Sequence, residues 1–242
     1  TVVANNLANV NTTGFKRDRA VFEDLLYQTI RQPGAQVGQD ANSPTGLVLG
    51  TGTRVVATEK IHSQGNMIQT DNALDLAIDG DGFLQTLRQD GNIGYTRDGS
   101  LKLNNVGQLV TASGDLLQPA ITIPANASSI TIGKDGTVSV QTFDQAAGQV
   151  VGNIQVASFI NPAGLQAMGG NVYVQTAASG EAQVLVPSQD GAGSLVQGAL
   201  EASNVNVVES MVNMIETQRA YEVNSKAISA ADGMLRFINN NL

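Results

Sequence analysis

Cysteine and tryptophan are absent from these 242 residues, and His62 is the single histidine. Without thiols there is no disulfide frame, no thiolate metal site and no cysteine nucleophile. Positive charge is also in short supply: 13 Lys and Arg stand against 21 Asp and Glu, a formal charge of −8. That balance argues against a nucleic-acid binder or a partner of anionic membranes. No apolar run approaches the ~18 residues of a membrane helix. Thr1-Val2-Val3-Ala4-Asn5 has neither the basic region nor the cleavage site of a secretory signal, and no initial Met, so the natural start is expected upstream. Charged residues make up 14% of the chain, below the roughly 25% of ordinary soluble domains. A surface this weakly charged, with 26 Gly, suits a secreted or assembled structural protein better than a cytosolic enzyme.

What is present falls into three textures. Residues 1–9 are helix-compatible, and Gly14 reads as the stop beyond a helix end. Val21, Phe22, Leu25, Leu26 and Ile30 fit helical spacing up to the breaker Gln32-Pro33-Gly34. The turn cluster Asn42-Ser43-Pro44-Thr45-Gly46 and the β-branched run at 53–58 then suggest a long projecting hairpin. From 72 to 202 short apolar runs recur at Leu74–Ile78, Phe83–Leu87, Leu101–Leu103, Gln108–Thr111, Ile121–Ile123, Ile130–Ile132, Thr137–Val140, Ile154–Phe159 and Val172–Gln175. Asp-Gly pairs at 81–82, 90–91, 98–99 and 135–136 punctuate them, as tight hairpins require, so this stretch predicts an antiparallel all-β domain. After Ser203, Asn206 is placed to cap a helix with Glu209 at its third position. Val207, Met214, Tyr221, Ile228, Leu235 and Leu242 then recur every seven residues, a narrow seam on one long helix. Gln218, Ser225 and Asp232 occupy the second seam position, so no strong autonomous coiled coil is encoded.

Candidate chemistry is thin. Asp79-Gly80-Asp81-Gly82 opens like a calcium loop, but Phe83 stands at the third ligand position, which favours a hairpin turn. Gly50-Thr51-Gly52 lacks the third glycine and the strand-turn-helix setting of a dinucleotide fingerprint. His62-Ser63 has no G-x-S-x-G elbow beside it, and a structural His is the better reading. Glu23-Asp24 has no pocket signal around it. Lys16, Arg17 and Arg19 form the one basic cluster, small enough to be a salt-bridging group. Tyr221 and the methionines of the last helix have the spacing of a packing face. Neither a cofactor nor a metal site is expected.

Two segments together carry a resemblance. Ala4-Asn5-Asn6-Leu7-Ala8-Asn9 followed by Thr12-Thr13-Gly14-Phe15-Lys16, with Ser203-Asn204-Val205-Asn206-Val207 through Gln218-Arg219-Ala220-Tyr221-Glu222, resemble the terminal signatures of bacterial flagellar rod and hook proteins. Residues 20–36 further resemble the distal-rod branch, and Tyr95-Thr96-Arg97-Asp98-Gly99-Ser100 the family's central β domain. The resemblance implies an α+β chain in three parts. Residues 1–16 with 203–242 would form an axial coiled-coil-like helical layer, with the family's N-terminal helix shortened here. Residues 17–71 would form an extended hairpin segment bridging neighbours, and 72–202 an antiparallel β domain. It implies a structural subunit, not an enzyme, that polymerises helically into a hollow drive shaft carrying torque across the periplasm. The implied partners are other copies of the chain, proximal rod proteins, the hook protein and the surrounding P and L ring proteins. No nucleic acid and no membrane insertion are implied, and export would run through the flagellar secretion apparatus. Assembly residues under this reading are Asn5, Asn6, Leu7, Asn9, Thr12, Gly14, Phe15, Lys16, Val207, Met214, Arg219, Tyr221, Ile228 and Leu235. A hook or proximal rod subunit is the alternative within the family, and a secreted β-rich adhesin the alternative outside it.

Overall fold

The computed structural model describes residues 1–33, 36–38, 41–42, 45–143 and 145–240. Gly34, Ala35, Ser43, Pro44 and Leu242, which entered the turn, hairpin and seam readings, lie outside the described residues. The chain packs as two units, residues 18–61 and the chain before and after them.

The 18–61 unit is a long antiparallel hairpin. Asp18–Asp24 pairs with Thr53–Lys60, Gln28–Arg31 with Leu47–Leu49, and Gln36–Gly38 with Ala41–Asn42. The helix expected over 20–30 is therefore two strands. Helical spacing of Val21, Phe22, Leu25, Leu26 and Ile30 lost to β-branched and aromatic residues that fit a pleated ribbon, and to charges placed for cross-strand pairing. Three directly opposed positions carry opposite charges: Asp18 faces Lys60 at 2.9 Å, Arg19 faces Glu59, and Glu23 faces Arg54. Such pairs contribute roughly 0.2–1 kcal/mol each, and a slip of one residue would part all three. Leu26, Ile30, Val55 and Val56 stay largely exposed.

The other unit holds the β core and both helices. The strand Phe83–Leu87 is its centre, pairing with Ile93–Thr96, Leu116–Gln118 and Val156–Ser158. Further strands extend this to a nine-stranded antiparallel sheet among the described residues. Alternation along the central strand sorts its side chains into two cores. Leu84 joins Leu76, Ile78, Leu101, Leu117, Val138 and Ile154, while Phe83 joins Tyr95, Phe159 and Tyr173. The antiparallel all-β reading holds for this region. Ile121–Ile123 forms no strand, although both isoleucines are buried and Thr122 makes one bridge to Gln108. Leu116–Gln118, Gln145–Asn153, Gln166–Gly169 and Gln183–Leu185 are strands that apolar runs did not mark. In Gln145–Asn153 and Gln166–Gly169 a Gln-, Gly- and Ala-rich composition hides the alternation that a half-buried strand usually shows, and Leu116–Gln118 and Gln183–Leu185 are too short to show it.

Helix α1 spans Val2–Ala8 and ends on Asn9. Helix α2 spans Val207–Asn240. Gly14 is not its neighbour's stop: it lies five residues beyond Asn9, and its role is a close approach described below.

Candidate functional site

The N-terminal motif is local architecture. Asn9 donates its side-chain amide to the Asn5 carbonyl at 2.9 Å and accepts from the Thr12 hydroxyl at 3.3 Å. Asn6 is buried, Leu7 half-buried, and Phe15 closes the segment at 8% exposure. Gly14 holds φ +66°, and a Cβ there would stand 2.7 Å from the Asp98 nitrogen. A side chain is excluded on two counts, the left-handed backbone and the backbone of Arg97 and Asp98 pressed against it. The gain is one hydrogen bond from the Gly14 N–H to the Glu201 carbonyl, at 2.8 Å. Nearby, Thr13 donates its hydroxyl to Asp98 at 3.1 Å, and its carbonyl accepts from the Asn171 amide at 2.8 Å.

Lys16 is 1% exposed, and its ammonium meets Oε1 of Glu201 at 2.6 Å. The other carboxylate oxygen accepts from Arg97 at 3.2 Å, and the Gly65 N–H donates to Oε1 at 2.8 Å. Lys16 also donates to the Ser63 carbonyl at 2.8 Å, and Arg97 to the Gly80 carbonyl at 2.8 Å. One carboxylate with no solvent-exposed side-chain surface thus holds two cations. Burial pushes the Lys16 ammonium below its ordinary pKa, and the Glu201 charge offsets part of that. An ion group this enclosed persists only because its members satisfy one another, since each alone would carry an uncompensated buried charge.

Asn204 extends the junction towards α2. It accepts from the Arg17 N–H at 2.8 Å and donates to the Ser63 carbonyl and hydroxyl at 3.0 and 3.1 Å. Asn206 then caps α2, its side-chain oxygen accepting from the N–H groups of Val208 and Glu209 at 3.0 and 3.3 Å. Glu209 turns its carboxylate to Arg17 at 3.4 Å. Arg97, Glu201 and Asn204, the members that tie this junction together, carried no assigned role in the sequence. The available signal was a lone charge: Glu201 ends the short apolar run Ala199-Leu200, where a strand residue facing inward needs a cation.

Past this junction, α2 lacks cover. Val207 is 40% exposed, Met214 half-buried, and Tyr221, Ile228 and Leu235 are 78%, 71% and 66% exposed. Arg219 is exposed as well. Glu222 with Lys226 and Asp232 with Arg236 form surface pairs one turn apart, at 2.8 and 2.9 Å. The structure thus gathers Gly14, Phe15 and Lys16 with Glu201 and Arg97, and leaves the seam residues strung along an exposed helix.

The residues weighed for chemistry sit in packing roles. His62 lies edge-on to Phe83 and Tyr173 at 5.4 Å each, and the Ser63 hydroxyl accepts from Asn204. Within 79–82, Gly80 and Gly82 adopt positive φ and the Asp81 carbonyl accepts from the Gly193 N–H at 2.8 Å; the segment is a bend and not the expected hairpin turn, because Leu76–Asp79 pairs with Ser194–Gln197 rather than with Phe83–Leu87. Each member of the basic cluster meets a carboxylate: Lys16 with Glu201, Arg17 with Glu209, Arg19 with Glu59.

Three family models match the chain: "Flagella basal body rod protein" over residues 1–16, "Flagellar hook protein FlgE/F/G D1 domain" over 77–140, and "Flagellar basal body rod FlgEFG protein C-terminal" over 196–241. Lys16, Arg97 and Glu201 fall one in each matched segment. The chain is 52% identical to the flagellar basal-body rod protein FlgG of Buchnera aphidicola subsp. Acyrthosiphon pisum, over 97% of this chain and 90% of that one. It is 49% identical to the FlgG of Caulobacter vibrioides and 39% identical to that of Bacillus subtilis, at the same coverage. The chain belongs to the FlgG family of flagellar basal-body rod proteins.

Proposed function

We propose that this member of the rod family works by helical polymerisation of identical copies, through a long C-terminal helix whose apolar side chains lie exposed, into a hollow shaft that carries torque to the hook. It is a structural subunit of the flagellar distal rod in the basal body, and not an enzyme. One observation supports the mode of assembly above the rest. A helix of 34 residues, Val207–Asn240, holds Val208, Ile215, Ile228, Met234 and Leu235 between 49% and 71% exposed. An apolar surface of that length does not remain in water when copies of the same chain can cover it. Contacts that repeat without closing into a ring generate a filament, the symmetry a shaft requires.

In this reading residues 1–16 and 203–242 supply an axial, coiled-coil-like layer, residues 72–202 the outer β domain, and residues 17–71 a segment that spans neighbouring copies. The exposed Leu26, Ile30, Val55 and Val56 of the hairpin support the last assignment. Asn5, Asn6, Leu7, Asn9, Thr12, Gly14, Phe15 and Lys16 shape the junction from which the layer departs, and Val207, Met214, Arg219, Tyr221, Ile228 and Leu235 meet neighbours. Proximal rod proteins, hook protein and the P and L rings are the partners at the ends and around the shaft. Electron microscopy of the purified full protein tests the reading: tubes of regular helical symmetry are expected, and particles that stay monomeric at every concentration would refute it.

A further inference from the structure

Asp-Gly occurs seven times in the chain, at 79–80, 81–82, 90–91, 98–99, 135–136, 190–191 and 232–233. With no Cβ on the glycine, its amide nitrogen can approach the preceding side chain closely. The nitrogen attacks the uncharged aspartyl carboxyl; the N–Cγ bond forms, the Cγ–OH bond breaks, and the hydroxyl leaves with the amide proton as water. The succinimide so formed takes up water at either carbonyl. Opening at the side-chain carbonyl restores aspartate, whereas opening at the main-chain carbonyl leaves isoaspartate, with one extra methylene in the backbone. Ring closure asks three things of the fold: an amide that donates to nothing else, a carboxyl that no donor holds ionised, and room for the nitrogen to swing.

Six of the pairs lack at least one of these. The N–H groups of Gly80, Gly91 and Gly136 donate to Gln64 Oε1 at 3.2 Å, to the Arg88 carbonyl at 3.0 Å and to the Gly133 carbonyl at 3.0 Å. Hydrogen bonds from the Asn92 N–H and from Thr137 also hold the carboxyls of Asp90 and Asp135 below the ordinary range. Gly233 lies inside α2, where its N–H is committed to the carbonyl one turn back. The Asp98 carboxylate accepts from the Thr13 hydroxyl and the Ser100 N–H at 3.1 and 3.0 Å, and the buried Gly99 is pressed onto the Leu76 carbonyl. Gly82 is pressed against Val156, whose Cγ1 a Cβ would meet at 2.1 Å.

Asp190-Gly191 meets all three conditions. Its turn is closed by the Ala192 N–H, which donates to the Gln189 carbonyl at 2.8 Å. That bond leaves the N–H of Gly191, the second central residue, outside the turn's own hydrogen bonding. It finds no partner among the described residues, and neither does the Asp190 carboxylate. Both residues are exposed, and nothing stands within 4 Å of where a Gly191 Cβ would be.

We infer that Asp190 is the chain's principal site of spontaneous isomerisation to isoaspartate, a modification site that the fold selects from seven pairs alike in sequence. The added methylene falls in the turn that leads into Ser194–Gln197, the strand paired with Leu76–Asp79.

The test holds the full chain at physiological temperature and neutral pH for several weeks, folded and, in parallel, unfolded in guanidinium chloride. Electron-transfer fragmentation of its peptides cleaves beside the added methylene and so assigns isoaspartate to a single position. In the folded chain it should gather at 190 at least about fivefold faster than at any other Asp-Gly pair, the handicap set by one amide hydrogen bond that must open first. In guanidinium the seven rates should draw together. Asp190→Glu should abolish the modification at 190, because closure would then need a six-membered ring, and should leave the other six rates and the circular dichroism spectrum as they were. Another Asp-Gly pair leading in the folded chain would overturn the inference. So would an equal lead for Asp190 in guanidinium, which would trace it to neighbouring sequence and not to the turn. Isoaspartate at 190 in the unfolded chain with none in the folded one would overturn it as well.

Discussion

Glu201 is the residue on which the junction turns. Its carboxylate binds Lys16, Arg97 and the Gly65 N–H at once, with no exposed side-chain surface. Glu201→Ala leaves two buried cations facing each other, and the expected loss is about 3–5 kcal/mol by denaturant unfolding. Lys16→Met should cost clearly less, because the carboxylate keeps Arg97 and Gly65, and the methionine stem replaces the buried lysine stem. Equal losses for the two variants would show that the pair, rather than the triad, bears the stability. Surface pairs such as Arg19 with Glu59 are expected to contribute at most about 1 kcal/mol. Gly14→Ala combines a left-handed backbone with a Cβ 2.7 Å from the Asp98 nitrogen. A loss of about 1–3 kcal/mol is the predicted outcome, and an unfolding midpoint equal to that of the parent protein would contradict it.

At the scale of elements, α2 and the hairpin share one property: each has its regular backbone hydrogen bonding and little cover for its apolar side chains. Ile228 is 71% exposed in the isolated chain, so Ile228→Asp should leave the β signal in circular dichroism intact while placing a charge in a desolvated contact of the polymer. Cells carrying it are expected not to swim, and Glu216→Gln, at an exposed polar position of the same helix, should change little. Swimming cells with Ile228→Asp would show that the position stays wet in the rod. For the hairpin, deletion of residues 20–36 removes one arm and strips Leu47–Leu49 and most of Thr53–Lys60 of their partners. If the hairpin stiffens the shaft between neighbours, electron micrographs of the deletion should show curved or bendable rods in place of straight ones. Rods of unchanged straightness would remove the hairpin from that role.

For the whole molecule, the contrast is between a core that folds within the chain and a long helix α2 whose apolar side chains lie exposed. The aliphatic and aromatic clusters each take residues from the strand Phe83–Leu87, and neither includes a residue of α2. A chain ending at Asn206 keeps the Glu201 junction and both clusters. It should therefore unfold within about 3 °C of the full protein and should sediment as a monomer at concentrations where the full protein forms tubes. A much lower midpoint would show α2 to be part of the folding core.

Read as a string, the residues settled composition, family and the existence of the parts. The absence of cysteine, the Asp-Gly hairpin turns at 90–91 and 135–136 and the cap at Asn206 are local signals, and they survive translation into structure because the turn or cap is made by the residues that announce it; the Asp-Gly pairs at 81–82 and 98–99 look the same locally but link strands that pair elsewhere. The terminal motifs identified the family for the same reason. What tertiary structure decided lies where partners are far apart in sequence. The 20–30 segment became strands because its pairing partners lie in Thr53–Lys60, where Arg54 stands opposite Glu23, and in Leu47–Leu49, and no window around Phe22 contains them. Gly14 looked like a helix stop and proved to be the floor under Asp98, 84 positions on. The triad of Lys16, Arg97 and Glu201 joins residues up to 185 positions apart. Each is an ordinary charge in its own neighbourhood, and only a fold that excludes water around all three makes them depend on one another.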